Sequence, residues 1–165
     1  MRFLLLLLFS LVSCTVPQKI SRIEISIQQQ SLKLMNGTIT TRSYPISTSK
    51  LGIGDRHGSF KTPLGVMIII EKIGAGMPAN TSFKGRIPCN RAYGRDGIVA
   101  RILRLHGLED QNKNVKSRNL YIHGTPFVAD IGRAASYGCI RMKPADIIDI
   151  FDKVNVGTIV EILKK

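Results

Sequence analysis

The chain has 165 residues, with 24 lysines and arginines against 11 aspartates and glutamates, a formal net charge of +13. That length is enough for one domain with a real core. Tryptophan is absent and aromatics make up 6%, so branched aliphatics must fill the core, and the basic excess asks for an anionic partner.

The first stretch reads as a targeting segment. Arg2 gives a positive start, and Phe3 to Val12 is an apolar run too short to span a bilayer but suited to a secretory leader. It ends in Leu11-Val12-Ser13-Cys14, which resembles the lipobox of bacterial lipoprotein signals. That resemblance implies cleavage after residue 13, acylation of Cys14, and a membrane anchor through the lipid. Residues 14–21 then form a short tether to a domain over 22–165. Beside an export signal, the basic charge points to an anionic envelope polymer. Nucleic acid is disfavoured, since no helix-turn-helix pattern, zinc-finger spacing or aromatic-basic strand motif occurs.

Arg22 to Ile27 alternates, with Ile23, Ile25 and Ile27 on one face, as a half-buried strand does. Leu32 and Leu34 continue that pattern in a second strand, and Asn36-Gly37 supplies residues for a tight hairpin turn. Thr38 to Thr48 returns, so the chain opens as a β-meander. Leu51 to Thr62 is a glycine-rich charged loop, and Val66 to Ile73 reads as a central strand buried on both faces. Gly74 to Gly97 carries turn residues throughout and reads as an irregular insertion of the kind that forms lids or binding surfaces. Ile98 to Leu105 is a strand that runs into His106-Gly107. Leu108 to Asn119 is polar loop, and Leu120 to Ile122 is a strand that delivers His123 at its end. Pro144 to Val154 starts with proline in its first turn and repeats apolar residues at helical spacing. Thr158 to Leu163 is the last strand. The fold expected is mainly β: a mixed sheet or sandwich with one C-terminal helix packed on it.

The chemistry lies between Tyr121 and Met142. His123 sits in a short apolar run, and Cys139 follows within Ser136-Tyr137-Gly138-Cys139-Ile140-Arg141. A thiol is a strong nucleophile as its thiolate, and a neighbouring imidazole is the usual means of producing one near neutral pH. The pair proposes a Cys/His acyl-transfer site. Backbone N–H groups of Gly138 and Cys139, with Tyr137, are candidates to hold a developing oxyanion. Arg141 lies two residues past Cys139 and offers either a bidentate partner for a substrate carboxylate or a structural ion pair. Ser136 reads as a loop-shaping hydroxyl at the substrate's edge. His106 is the rival base and a second residue for the cleft, and Cys89 reads as a spectator thiol. The three cysteines at 14, 89 and 139 form no Cys-x-x-Cys, which leaves zinc and thioredoxin-like readings weak.

These residues resemble the L,D-transpeptidase (YkuD-type) catalytic domain of bacterial cell-wall enzymes. The family's His-Gly, variable loop and Ser-x-Gly-Cys match His123-Gly124-Thr125 and Ser136-Tyr137-Gly138-Cys139. Its upstream Ser-Thr segment and Thr-Pro-x-Gly match Ser47-Thr48-Ser49 and Thr62-Pro63-Leu64-Gly65. Many members carry histidine where this chain has Tyr137. The resemblance implies a peptidoglycan L,D-transpeptidase that cross-links stem peptides through a cysteinyl thioester, with no metal or organic cofactor. It implies that the carbonyl of Gly124 orients His123, that Thr125 borders the substrate, and that Ser47 to Ser49 with Thr62-Pro63 shape one wall of the cleft. The same site could serve an L,D-carboxypeptidase, and a wall-binding lipoprotein without activity is the remaining reading.

Overall fold

A computed structural model describes residues 20–90 and 97–165. The leader, Cys14 and most of the tether lie outside those residues, as do residues 91–96 of the insertion. The alternating isoleucines and leucines form the opening meander: β1 (Arg22–Ser26), β2 (Ser31–Asn36) and β3 (Ile39–Pro45). Ile23, Ile25, Leu32 and Leu34 are fully buried on one face, as the period of two requires. The hairpin turn falls on Gly37 and Thr38, one position later than Asn36-Gly37 suggests, because Asn36 still pairs with Ile39. Gly37 takes the positive φ of 58°.

The strand after the glycine-rich loop is β4 (Gly65–Ile73), followed by β5 (Ser82–Lys84), β6 (Ile87–Cys89) and β7 (Ile98–Gly107). Two expectations need correction. β4 is central, between β7 and the last strand, yet only Met67 and Ile69 are buried; its other face is half-exposed. The insertion is not irregular throughout, since β5 and β6 form a short hairpin that adds to the edge of β7 at Ile98 and Val99. Three-residue strands carry too little alternation to be seen in a sequence.

β8 (Tyr121–Gly124), β9 (Ile140–Met142), the helix α1 (Pro144–Lys153) and β10 (Ile159–Leu163) complete the domain. Among the described residues, the ten strands form one continuous mixed sheet. β10 lies between β1, to which it is parallel, and β4, to which it is antiparallel. β7 joins β4 to β8, β8 pairs in parallel with β9, and Ser47, just past β3, bridges back to Arg141 in β9. The sheet thus curls round until its ends touch. One core fills the curl, with Ile23 and Leu32 packed in the same cluster as Leu105, Ile122 and Ile140, and with Ile147, Ile150 and Phe151 of α1. Pro144 occupies the first turn of α1 and Asp146 faces its positive end. At the other end Lys72 Nζ donates to the carbonyls of Phe151 and Val154, each at 2.6 Å, and lies over the Phe151 ring.

Candidate active site

The parallel pairing of β8 and β9 sets Ile122 opposite Ile140, His123 opposite Arg141 and Gly124 opposite Met142. Ile122, Ile140 and Met142 point into the main core. Alternation sends Tyr121 and His123 to the other face of the sheet, together with Cys139 and Arg141. On that face Cys139 packs beside a second apolar cluster of Tyr121, Ile102 and Phe83. The residues of the motif therefore share one face because two short strands share one register.

His123 is fully buried, and its Nδ1 lies 2.8 Å from the carbonyl oxygen of Gly124. A carbonyl can only accept, so Nδ1 carries the proton and Nε2 is the basic nitrogen of the neutral ring. A bulge in β7 supports this corner: Val99 pairs with Gly124 and Ile102 with His123, leaving Ala100 and Arg101 between them. Ala100 sits at φ 67°, and its N–H donates to Thr81 O at 2.9 Å. A methyl group at Gly124 would lie 2.5 Å from Val99 O, so glycine is required there by close approach of two backbones.

Cys139 opens onto a cavity of about 300 Å³, walled by Phe60 and Tyr137 on one side and by Arg118 and Asn119 on the other. Its Sγ donates to Asn119 O at 3.7 Å. Asn119 has φ 54°, and asparagine is among the few residues that adopt this conformation readily. Lys50 Nζ stands 4.4 Å from the centre of the Tyr137 ring, and Phe60 meets that ring edge-on. Burial raises the pKa of Tyr121, and the charge of Cys139 acts in the same direction.

The loop before Cys139 is held by its own hydroxyl. Ser136 is fully buried; its Oγ donates to Cys139 O at 2.6 Å and accepts from Gly138 N at 3.2 Å. The Gly138 amide is thereby engaged in shaping the loop. Behind the loop, Thr62 Oγ1 donates to Gly138 O at 2.9 Å and accepts from Ser49 N at 3.0 Å. Thr48 O accepts the N–H groups of Ala135 and Ser136. The upstream Ser-Thr and Thr-Pro segments thus brace the nucleophile loop from the rear.

Three residues assigned to substrate lie elsewhere. Arg141 is 2% exposed, with Nη1 3.5 Å from Ala135 O and its guanidinium 5.9 Å from the Phe127 ring centre. These contacts tie its guanidinium to the 125–135 loop. Thr125 is fully buried and accepts Phe127 N at 3.2 Å, starting the same loop. His106 pairs with Ile68 along β7, four residues beyond the position opposite His123, and does not line the cavity of Cys139.

Sequence reasoning missed Asn119, Tyr121 and Arg118. Arg118 spans the cavity wall: it pairs with Asp55 at 3.0 Å and donates to the carbonyls of Gly54 and Lys61, while Asp55 accepts Asn114 N at 2.7 Å. An arginine and an aspartate 63 positions apart leave no local signal.

Among the described residues there is no group of three or more His, Cys, Asp or Glu side chains placed to hold a metal. No helix among them is long and apolar enough to cross a membrane.

A family model, YkuD, the L,D-transpeptidase catalytic domain, matches residues 20–162. Solved structures share the fold. The L,D-transpeptidase LdtMt1 in complex with imipenem aligns with TM-score 0.55 at 22% identity, covering 86% of this chain and 57% of that one. An L,D-transpeptidase from Xylanimonas cellulosilytica aligns with TM-score 0.60 at 15% identity, covering 88% and 61%. The catalytic domain of the Enterococcus faecium L,D-transpeptidase aligns with TM-score 0.55 at 15% identity, covering 87% and 96%. The chain thus spans less than two thirds of the first two proteins and nearly all of the isolated catalytic domain. A search of curated proteins gives no match.

Proposed function

The chain belongs to the L,D-transpeptidase catalytic domain family, and on that footing we propose that it exchanges acyl groups between peptidoglycan stem peptides through a thioester on Cys139. The observation that carries the reading is the pairing of β8 with β9. It sets Cys139, at the mouth of a cavity, on the same face as a histidine whose Nδ1 is held by its own backbone.

In the first step the thiol proton passes to His123 Nε2 and Sγ attacks the peptide carbonyl carbon. The tetrahedral oxyanion is held by the backbone N–H of Cys139, with Tyr137 beside it. The C–N bond then breaks, and the imidazolium returns its proton to the departing amine. In the second step an acceptor amine attacks the thioester, its proton passes to Nε2, and the C–S bond breaks to restore the thiol. Gly124 O keeps the ring in one tautomer throughout, as the aspartate does in serine triads. Asn119 O, 3.7 Å from Sγ, helps to position the nucleophile.

The substrate reading rests on the family and on the basic surface, which suits an anionic wall polymer. The lipobox-like leader ending at Cys14 supports a location in the cell envelope with lipid as the anchor. LdtMt1, whose structure contains imipenem, motivates a second expectation: imipenem acylates Cys139.

The test is mass spectrometry of muropeptides after incubating the full chain, purified in detergent, with a disaccharide-tetrapeptide. Dimer formed by wild type and absent with Cys139→Ala supports the proposal. Cys139-dependent tripeptide without dimer replaces it with an L,D-carboxypeptidase. No change with either protein refutes both and leaves a binding protein.

A further inference from the structure

A second hollow adjoins the cavity of Cys139. It encloses about 450 Å³ and is walled by Glu71, Lys84, Arg86, Asn119 and Tyr121. Asn119 lines both spaces, and Tyr121, which lines the second, packs in the same cluster as Cys139. Arg86 occupies the turn of the β5–β6 hairpin, next to Gly85 at φ 63°. One oxygen of Glu71 takes Arg86 Nη1 at 3.1 Å and Arg104 Nη1 at 3.3 Å, setting the two guanidiniums side by side. Arg104 is the register partner of Tyr121 and lies behind the hollow with its side chain 16% exposed; that of Arg86 is 43% exposed and faces solvent. Lys84 and Arg86 thus line the hollow beside a single carboxylate, which Arg104 also pairs with.

The two spaces differ in charge and character. The one containing Cys139 has aromatic walls, and its arginine, Arg118, is already neutralised by Asp55. The carbonyl that Cys139 attacks has an acyl side and an amine side. A terminal residue on the amine side carries a free carboxylate, whose charge persists from bound peptide to departing amino acid. Arg86 offers a planar fork of five N–H donors, of which Nη1 is directed to Glu71.

We propose that the hollow beside Tyr121, with Arg86 as the specificity-determining residue and Arg104 behind it, binds the terminal carboxylate on the amine side of the scissile bond. This rests on the acyl-transfer reading of Cys139, and it replaces Arg141 as the carboxylate partner.

Binding is measured with full-chain Cys139→Ala, which removes turnover, using a disaccharide-tetrapeptide and its C-terminal carboxamide. The carboxylate peptide is expected to bind roughly tenfold or more tightly than the carboxamide, as for a charge-assisted pair. Adding Arg86→Ala is expected to bring the two affinities together, and Arg86→Lys to leave a smaller preference, since it keeps the charge and loses the fork. Lys33→Ala, which removes a cation from β2, tests general attraction. Equal affinities in the parent, absence of binding included, would overturn the proposal. So would a preference that survives Arg86→Ala, or one that Lys33→Ala also removes. Failure of the acyl-transfer reading registers separately, as absence of Cys139-dependent product from wild type.

Discussion

The buried pair of Arg118 and Asp55 offers the sharpest test of how the cleft is held open. Their side chains are 7% and 8% exposed, and the guanidinium also caps the carbonyls of Gly54 and Lys61. Truncation in Arg118→Ala leaves the Asp55 carboxylate buried with the Asn114 N–H as its donor, while Asn114 Nδ2 donates to the Asp55 backbone carbonyl. Removing one partner of a buried pair costs roughly 3–5 kcal/mol, which for a domain of this size lowers Tm by about 10–15 °C. Asp55→Asn is expected to cost less, because Arg118 keeps its two carbonyl acceptors. The double variant should fall short of the sum of the two singles, since each already breaks the same bridge. The site should respond too. His57, Gly58 and Phe60 line the cavity of Cys139 together with residues 117–119, so acylation by imipenem, followed by mass, should slow in Arg118→Ala by about 100-fold, the scale of an ångström-sized displacement. A Tm change under about 2 °C, strict additivity, or wild-type acylation would refute the idea that this pair sets the distance between the walls.

Other expectations follow from single contacts. Gly124→Ala forces Val99 away from β8 and should cost about 1–3 kcal/mol in Tm measurements, the usual cost of overpacking; acyl transfer should fall far more, because the displaced carbonyl is the one that orients His123. Ser136→Ala removes both hydrogen bonds that tie Gly138 to Cys139 and should lower stability by about 1–3 kcal/mol in denaturant titration, with slower thiol alkylation at fixed pH. For Asp149, burial raises the pKa, but the hydrogen bonds from Lys153 and Tyr44 outweigh it and leave the carboxyl below its ordinary 3.8. A carboxyl depressed on folding stabilises above its unfolded value and loses that contribution as pH falls below 3.8; Asp149→Asn should make Tm fall less steeply in that range. Asp146, raised mainly by burial, contributes with the opposite sign just above 3.8. Lys72→Met should destabilise by about 1–3 kcal/mol, since two carbonyls at the end of α1 lose a charged donor.

The sequence made the strands with strong alternation legible. Arg22 to Ile27 and Thr158 to Leu163 bury alternate residues, and α1 ends at Lys153, one residue before the expected boundary at Val154. Motif order alone brought His123 and Cys139 forward. What stayed hidden depends on partners distant in the chain. The β5–β6 hairpin exists because the edge of β7 is there to receive it. The exposed face of β4 reflects the curl of the sheet, which no single strand records. Arg141 reads from its spacing as a partner for substrate, but its burial depends on the 125–135 loop folding over it. The Gly138 amide reads as available until Ser136 Oγ is placed beside it.

The order in which the chain is made now matters. β10, the last strand, stands between β1, the first, and β4. The loop carrying Cys139 leans on residues 47–49, which precede it by some ninety positions. Synthesis at about 5–20 residues per second therefore leaves β1 and β4 without their shared neighbour until almost the whole chain has emerged. Contacts of such separation form late and together. A chain halted short of β10 holds every residue of the motif without the frame that arms it. The thiol's setting thus rests on contacts that span most of the domain.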